Sequence, residues 1–216
     1  MSDRKWTPGG AATTLGVIEG IVVDNKDPDG IGRVLVKFPW LPNETQSAWA
    51  RMSTPMAGKE MGIVIYPEVD DEVLIDFVNG NVHEPVILGS LYNGKDLPPF
   101  DNGDGENNLR LFVSRSGHRI EIDDTSGAEK ITITDKSGGL IVEMDSANEA
   151  INITSSKDIT IKCDNNFTLE AKEVEVKSGS NMKLDAGSNF EAGAGTQAKV
   201  EAGSAVNVSG ATINLN

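Results

Sequence analysis

One cysteine among 216 residues, Cys163, excludes an intrachain disulfide, and a chain of this kind suits assembly in a reducing cytoplasm. The two histidines, His83 and His118, have no Cys or His partner at ligand spacing, so no metal and no cofactor is expected. Hydrophobic residues make up only 38% and aromatics 5%, which argues against a single large core. Basic excess is absent everywhere. Residues 1–93 carry 7 basic and 13 acidic groups, residues 94–150 carry 6 and 12, and residues 151–216 carry 6 and 8, together giving the net −14. No segment therefore offers the basic face that nucleic-acid phosphates require. No apolar run approaches the length of a membrane span, and residues 1–6 lack the charged and apolar character of a leader. A chain made and kept soluble is expected.

What the sequence has in quantity is glycine, 23 residues of it, and turn chemistry between short alternating runs. All-β is the class this predicts. Residues 1–14 read as an extended arm with Trp6 and Pro8 as its only bulky features. Strands are expected at residues 15–24, 33–38, 48–51, 62–66, 72–78 and 85–91. Between them lie Asp27-Pro28-Asp29-Gly30, Pro42-Asn43, Ala57-Gly58 and Asn79-Gly80 as breaks. Five or six strands in under eighty residues is the size of a small closed barrel, and the domain is bounded at residues 15–93. Eight of the eleven aromatics precede Asp101, which places the conventional core there. Residues 94–150 read as a linker, with Pro98-Pro99, followed by transitional strands at Ile120/Ile122, Ile131/Ile133 and Leu140/Val142.

From Ile151 an octad repeat governs the chain. Apolar pairs separated by one residue recur at Ile151/Ile153, Ile159/Ile161, Phe167/Leu169, Val174/Val176, Met182/Leu184, Phe190/Ala192, Ala198/Val200, Val206/Val208 and Ile213/Leu215. The steps between pair starts are 8, 8, 7, 8, 8, 8, 8 and 7. Such an octad is a strand of about five residues plus a corner, with one face turned inward. One strand so short buries almost nothing, so the copies must stack. A solenoid of one chain, three strands to a coil, would be a stub about 14 Å tall with large open ends. Three chains winding about one axis, each giving one strand to every layer, would instead form a needle on the order of 43 Å long with its interior edges paired. The geometry favours a homotrimer, whose spike core comprises Ile151, Ile153, Ile159, Ile161, Phe167, Leu169, Val174, Val176, Met182, Leu184, Val206 and Val208. Inward residues shrink toward Ala192 and Ala198, which implies a taper. Cys163 follows Ile161 in the same alternation and reads as a small buried hydrophobe.

Several motifs carry a family resemblance. Gly32-Arg33-Val34-Leu35-Val36-Lys37-Phe38-Pro39-Trp40, Ala48-Trp49-Ala50-Arg51, Pro55-Met56-Ala57-Gly58, the run from Pro67-Glu68-Val69-Asp70-Asp71-Glu72 to Phe77, and the run from Pro85 to Asn93 follow in this order. They resemble the OB-fold module of baseplate assembly protein V, the phage tail spike, and the type VI secretion spike. The resemblance implies an N-terminal OB-fold barrel followed by a C-terminal intertwined trimeric β-helix, a triangular β-prism at residues 151–216. It implies a structural central spike of a contractile injection machine or phage tail, assembled in the cytoplasm, located in a baseplate, and not an enzyme. The spike would join a separate trimeric hub protein, with Trp6 and Pro8 at that interface, to a PAAR-type tip protein seated on Thr212, Ile213, Asn214, Leu215 and Asn216. It would pierce the target envelope with only transient contact with the target membrane. Two departures matter. Where the family has glycine before Asp-Glu-Val, this chain has Asp70, which implies a positive-φ turn that Asp tolerates. The His-x-His of metal-tipped relatives is absent, so no tip metal is expected.

Rival chemistry is poorly served. Asp70-Asp71-Glu72 and Asp123-Asp124 are carboxylate pairs, but they fall in expected turns and strand starts, where solvated faces are the simpler reading. Asp27, Asp29 and Gly30 have the look of a calcium loop, which Ile31 and Arg33 defeat at the next ligand positions. An OB fold raises binding of single-stranded nucleic acid, against which the acidic barrel segment argues. A β-solenoid raises a polysaccharide-cleaving enzyme, for which an octad leaves no cleft. A carbohydrate-binding or adhesion fibre is the alternative function, and it would carry receptor-binding bulk at its far end, where this chain is plainest.

Overall fold

In a computed structural model, residues 16–39 and 49–214 are described. Twelve strands and no α-helix occur among them. Five form a closed barrel: β1 (Ile18–Asp24), β2 (Arg33–Lys37), β3 (Ala50–Met52), β7 (Pro85–Ser90) and β6 (Glu72–Phe77), which returns to β1. All neighbours are antiparallel except β3 and β7, which run parallel. Alternation drives this closure. In β2, Val34 and Val36 point inward, and in β6, Val73, Ile75 and Phe77 do the same. With Ile18, Val22, Phe38, Ala50 and Ile87 they make one buried cluster, each large aliphatic member contributing about 1.5–3 kcal/mol by leaving water. Gly20 is buried among them, and glycine is needed there because a Cβ would meet Ile75 Cδ1 at 2.5 Å. Register shifts at Val22/Asp24 and at Leu74/Ile75 bend two strands, as closure of so small a barrel needs.

The strand expected at residues 62–66 is a correction. Only Gly62 enters a ladder, in the hairpin of β4 (Ala57–Gly58) with β5 (Met61–Gly62), and Ile63 to Tyr66 continue without one. The barrel closes through the five other strands, so no free edge remains for this segment. The Ala57-Gly58 break is accordingly a strand, with the reversal at Lys59 and Glu60, the latter at φ 58°. Asp70 has φ 75°, the conformation inferred for it in place of glycine. Trp40, Pro42, Asn43 and Ala48, like Trp6 and Pro8, lie outside the described residues.

Next comes an antiparallel meander of β8 (Leu109–Val113), β9 (Arg119–Asp123), β10 (Lys130–Thr134), β11 (Leu140–Asp145) and β12 (Ala150–Ser155), paired strictly in sequence order. Each of its four hairpin turns contains a left-handed residue, Gly117, Gly127, Gly138 or Glu149, as tight reversals of a twisted strand pair require. In-chain pairing thus extends one strand beyond residue 150. The first octad pair, Ile151 and Ile153, lies opposite Met144 and Val142 in β12.

The chain divides into two compact units, residues 1–159 and 160–216. In the second, no residue among those described belongs to a strand ladder, and all are exposed. The backbone bends at residues 164–165, 172, 179–180, 187–188, 195–196, 203–204 and 211, at the spacing of the octads. No described residue after Glu149 has a positive φ.

Candidate assembly interface

A β-sheet needs to bury one of its faces against something, and the meander shows which. The register places Phe112, Ile120, Ile133, Val142 and Ile153 in one row across all five strands. The adjacent row on the same face is Arg110, Ile122, Ile131, Met144 and Ile151. Nine of these ten side chains are large and apolar, and all nine are exposed. Exposure climbs from 37–47% within β9, β10 and β11 to 73% at Ile151 and 63% at Ile153. The β12 edge lacks a neighbouring strand and so loses flank cover as well.

The opposite face over β9 to β12 is mostly polar, with Ile141 as its one large apolar residue, and it carries its own ion pairs and hydrogen bonds. Lys130 lies between Asp123 and Asp145. Asn152 Nδ2 donates to Glu143 Oε1 at 3.2 Å, and Arg119 pairs with Glu121 at 2.9 Å. Hydrogen bonds from Thr125 and the charge of Lys130 hold the Asp123 carboxyl below the usual range, and Asn148 with Lys130 does the same for Asp145. One face is therefore built for water and the other is not. Contiguous apolar surface of this kind marks an interaction site.

Unit two repeats that division on the scale of single strands. Glu175 pairs with Lys177 at 2.7 Å, Lys183 with Asp185 at 2.7 Å, and Lys199 with Glu201 at 2.6 Å. Residues two apart share a side of an extended chain. Each ion pair therefore lies opposite an apolar pair: Val174/Val176, Met182/Leu184 and Ala198/Val200. Ile161, Phe167, Leu169, Val206, Val208, Thr212, Ile213 and Asn214 are exposed too, while Leu215 and Asn216 lie outside the described residues. Cys163, read as buried, is exposed in the chain.

The residues weighed for chemistry have structural occupations. Asp71 Oδ2 accepts from the Glu68 amide at 2.9 Å, Glu72 Oε2 accepts from Asn93 Nδ2 at 2.9 Å, and Asp124 pairs with Arg110. His118 Nδ1 accepts from the Lys136 amide at 3.2 Å, and the His83 amide donates to Asn81 Oδ1 at 3.1 Å. The calcium-like loop is closed from within. Asp27, whose side chain is only 4% exposed, accepts both Nε and Nη2 of Arg33 at 3.1 and 2.8 Å. It also accepts the amides of Asp29, Ile31 and Arg33. The guanidinium stands where a cation would, pulling the Asp27 carboxyl far below its ordinary range and raising Arg33. Among the described residues no group of three or more His, Cys, Asp or Glu is placed to hold a metal ion.

Sequence reasoning found most of the apolar face and missed Phe112 and Met144. Both continue visible alternations, Arg110/Phe112 and Leu140/Val142/Met144.

Known proteins bear on this arrangement. The family model of the type VI secretion system/phage-baseplate injector OB domain matches residues 18–92, the span of the barrel. The actin cross-linking toxin VgrG1 of Vibrio cholerae is 26% identical over 159 residues, 71% of this chain and 14% of the toxin. The type VI secretion system spike protein VgrG3 of Vibrio cholerae is 30% identical over 113 residues, 49% of this chain and 11% of that protein. Spike protein VgrG1b of Pseudomonas aeruginosa is 31% identical over 129 residues, 54% of this chain and 17% of its own length. The chain thus spans less than a fifth of the length of these relatives. With a closed five-stranded barrel at residues 18–90 and this likeness running beyond it, the barrel matches the type VI secretion system/phage-baseplate injector OB domain, and the chain is similar to type VI secretion spike proteins over about half of its length.

Proposed function

We propose that this chain is a structural spike of a contractile injection machine, that it works as a homotrimer, and that residues 151–216 form its intertwined β-helix. The observation that carries the reading is the bare apolar face of the meander, continued after β12 by octads whose described residues find no strand partner in their own chain. In-chain pairing stops with β12, the strand that follows the last left-handed turn residue, Glu149. A chain that bends every seven or eight residues without reversing cannot lay each strand on the previous one. Coils of one chain stacked on each other would show a ladder, and the described residues of unit two have none, so the partners come from other chains. Three copies around an axis supply them, and their meander faces turn inward together.

Such a rod carries load and does no chemistry. Its acidic surface of net −14 keeps it off nucleic acid and anionic lipid until force moves it. The barrel would seat on a separate hub, with Trp6 and Pro8 as anchors, and residues 212–216 would receive a PAAR-type tip protein. Envelope piercing follows from stiffness, because every interior strand edge is paired to a neighbour. Two relatives named as type VI spike proteins support the role. The test is mass in solution. Light scattering should give three times the 23.0 kDa chain mass, and a stable folded single subunit at micromolar concentration would refute the proposal.

A further inference from the structure

The connection from β3 to β6 is the barrel's largest departure from a closed core. Its hairpin strands, β4 and β5, are two residues each and pair only with one another. An isolated hairpin of that size is marginal in water. Yet Met56, Met61, Ile63, Val64, Ile65 and Tyr66 are all exposed. Val64 is 73% and Ile65 61% exposed, and neighbouring residues of an extended segment point to opposite sides. At Val64 and Ile65 both sides are bare, so the middle of the segment is an arm that does not lie on its own barrel.

Its base is fixed nonetheless. Thr54 Oγ1 donates to the Ile63 carbonyl at 2.8 Å, and the Ile63 amide donates to the Met56 carbonyl at 3.0 Å. Asn25 Nδ2 donates to the Pro67 carbonyl at 2.9 Å. Tyr66 closes over Gly32, where a Cβ would lie 2.8 Å from its hydroxyl. Arg115 in the β8–β9 turn pairs with Glu68 at 3.0 Å. An apolar arm anchored at its base loses less entropy on being covered than a free segment would.

We infer that residues 56–66 form an interchain clasp whose occupant is the barrel of a second copy of this chain. Two observations select that partner. The Glu68–Arg115 pair joins the arm to the turn at residues 114–118, and Ser114 and His118 of that turn border the apolar meander face. The arm therefore continues the surface assigned above to contact between copies. Second, residues 53–67 contain only Lys59 and Glu60 as charged groups, in a chain of net −14. Like-charged copies meet with least repulsion at this neutral patch. Each copy would give one arm and receive one, a head-to-tail contact that closes in a ring.

This inference rests on the trimer reading, and the experiment separates the two. In full-length chain carrying Cys163→Ser, Val64→Cys is reacted with a maleimide-polyethylene glycol, with Glu106→Cys as the exposed reference. The clasp predicts a trimer in which Val64→Cys reacts at least about tenfold more slowly than the reference, and equally fast once urea separates the chains. It also predicts covalent dimers and trimers of the chain when a photocrosslinking residue replaces Met61. A trimer in which both cysteines react at one rate, with no crosslinked copies, overturns the clasp and leaves the spike reading standing. A monomer overturns both. Ile65→Asp is the second probe. It should lower the trimer's melting temperature, and an unchanged value would count against the clasp.

Discussion

Ile75 lies at the centre of the barrel with 0% exposure, and the close approach of Gly20 is shaped around it. Ile75→Ala should cost about 2–5 kcal/mol in equilibrium urea unfolding. Gly20→Val should cost about 1–3 kcal/mol through overpacking, since Cδ1 of Ile75 has to leave its rotamer. Asp135 provides a pH test. Its side chain bonds the Ser137 hydroxyl at 2.6 Å and the amides of Leu140 and Ser137 at 2.8 and 3.0 Å, which lowers its pKa to about 2. A lowered carboxylate pKa stabilises the fold above its ordinary value of 3.8, and the contribution is lost as pH falls through about 2. Amide exchange at Leu140 should therefore stay protected at pH 4 and open toward pH 2. At this scale the sequence was partly legible. Asp70 was expected at positive φ and has it. Arg33 was seen to spoil a calcium loop, but its own guanidinium filling that loop depends on a side-chain path that spacing does not reveal.

Among elements, the strands of the meander were legible, though not their antiparallel order, because their two-residue alternation is unambiguous and three of the four turns between them carry glycine. Its two faces call for a matched pair of substitutions. Ile133→Lys puts a charge on the apolar face, whereas Thr132→Lys puts the same charge between Glu121 and Glu143 on the polar one. Burying an unpaired ammonium is costly. Ile133→Lys should raise the concentration needed for trimer by at least about tenfold in sedimentation equilibrium, and Thr132→Lys should leave it unchanged. The segment at residues 62–66 was read as a strand because four consecutive apolar residues look like a buried one. Barrel closure decided otherwise, and no local pattern reports whether a distant edge is free.

For the molecule as a whole, the two compact units should differ in their dependence on assembly. The barrel has its own buried cluster, while the described residues of unit two bury nothing within the chain. Truncation after Ile159 should leave the barrel folded, with its core amides still slow to exchange. The separate peptide 160–216 should show no β-signal by circular dichroism unless it associates. A structured monomeric peptide would contradict interchain pairing.

The sequence by itself determined every property with a short period: the alternation that gives each strand its two faces, the octads, the turn residues, and the acidic surface. These depend on neighbours one to eight residues apart, so a linear reading captures them. Tertiary structure decided which edges meet. The parallel β3–β7 pair, the ejection of Ile63 to Tyr66 from the barrel, and the extension of in-chain pairing through β12 all rest on contacts between distant segments. Hydrogen-bond partners in a sheet are chosen by which edge remains free after the others have closed, and that is a property of the folded chain, not of any window along it.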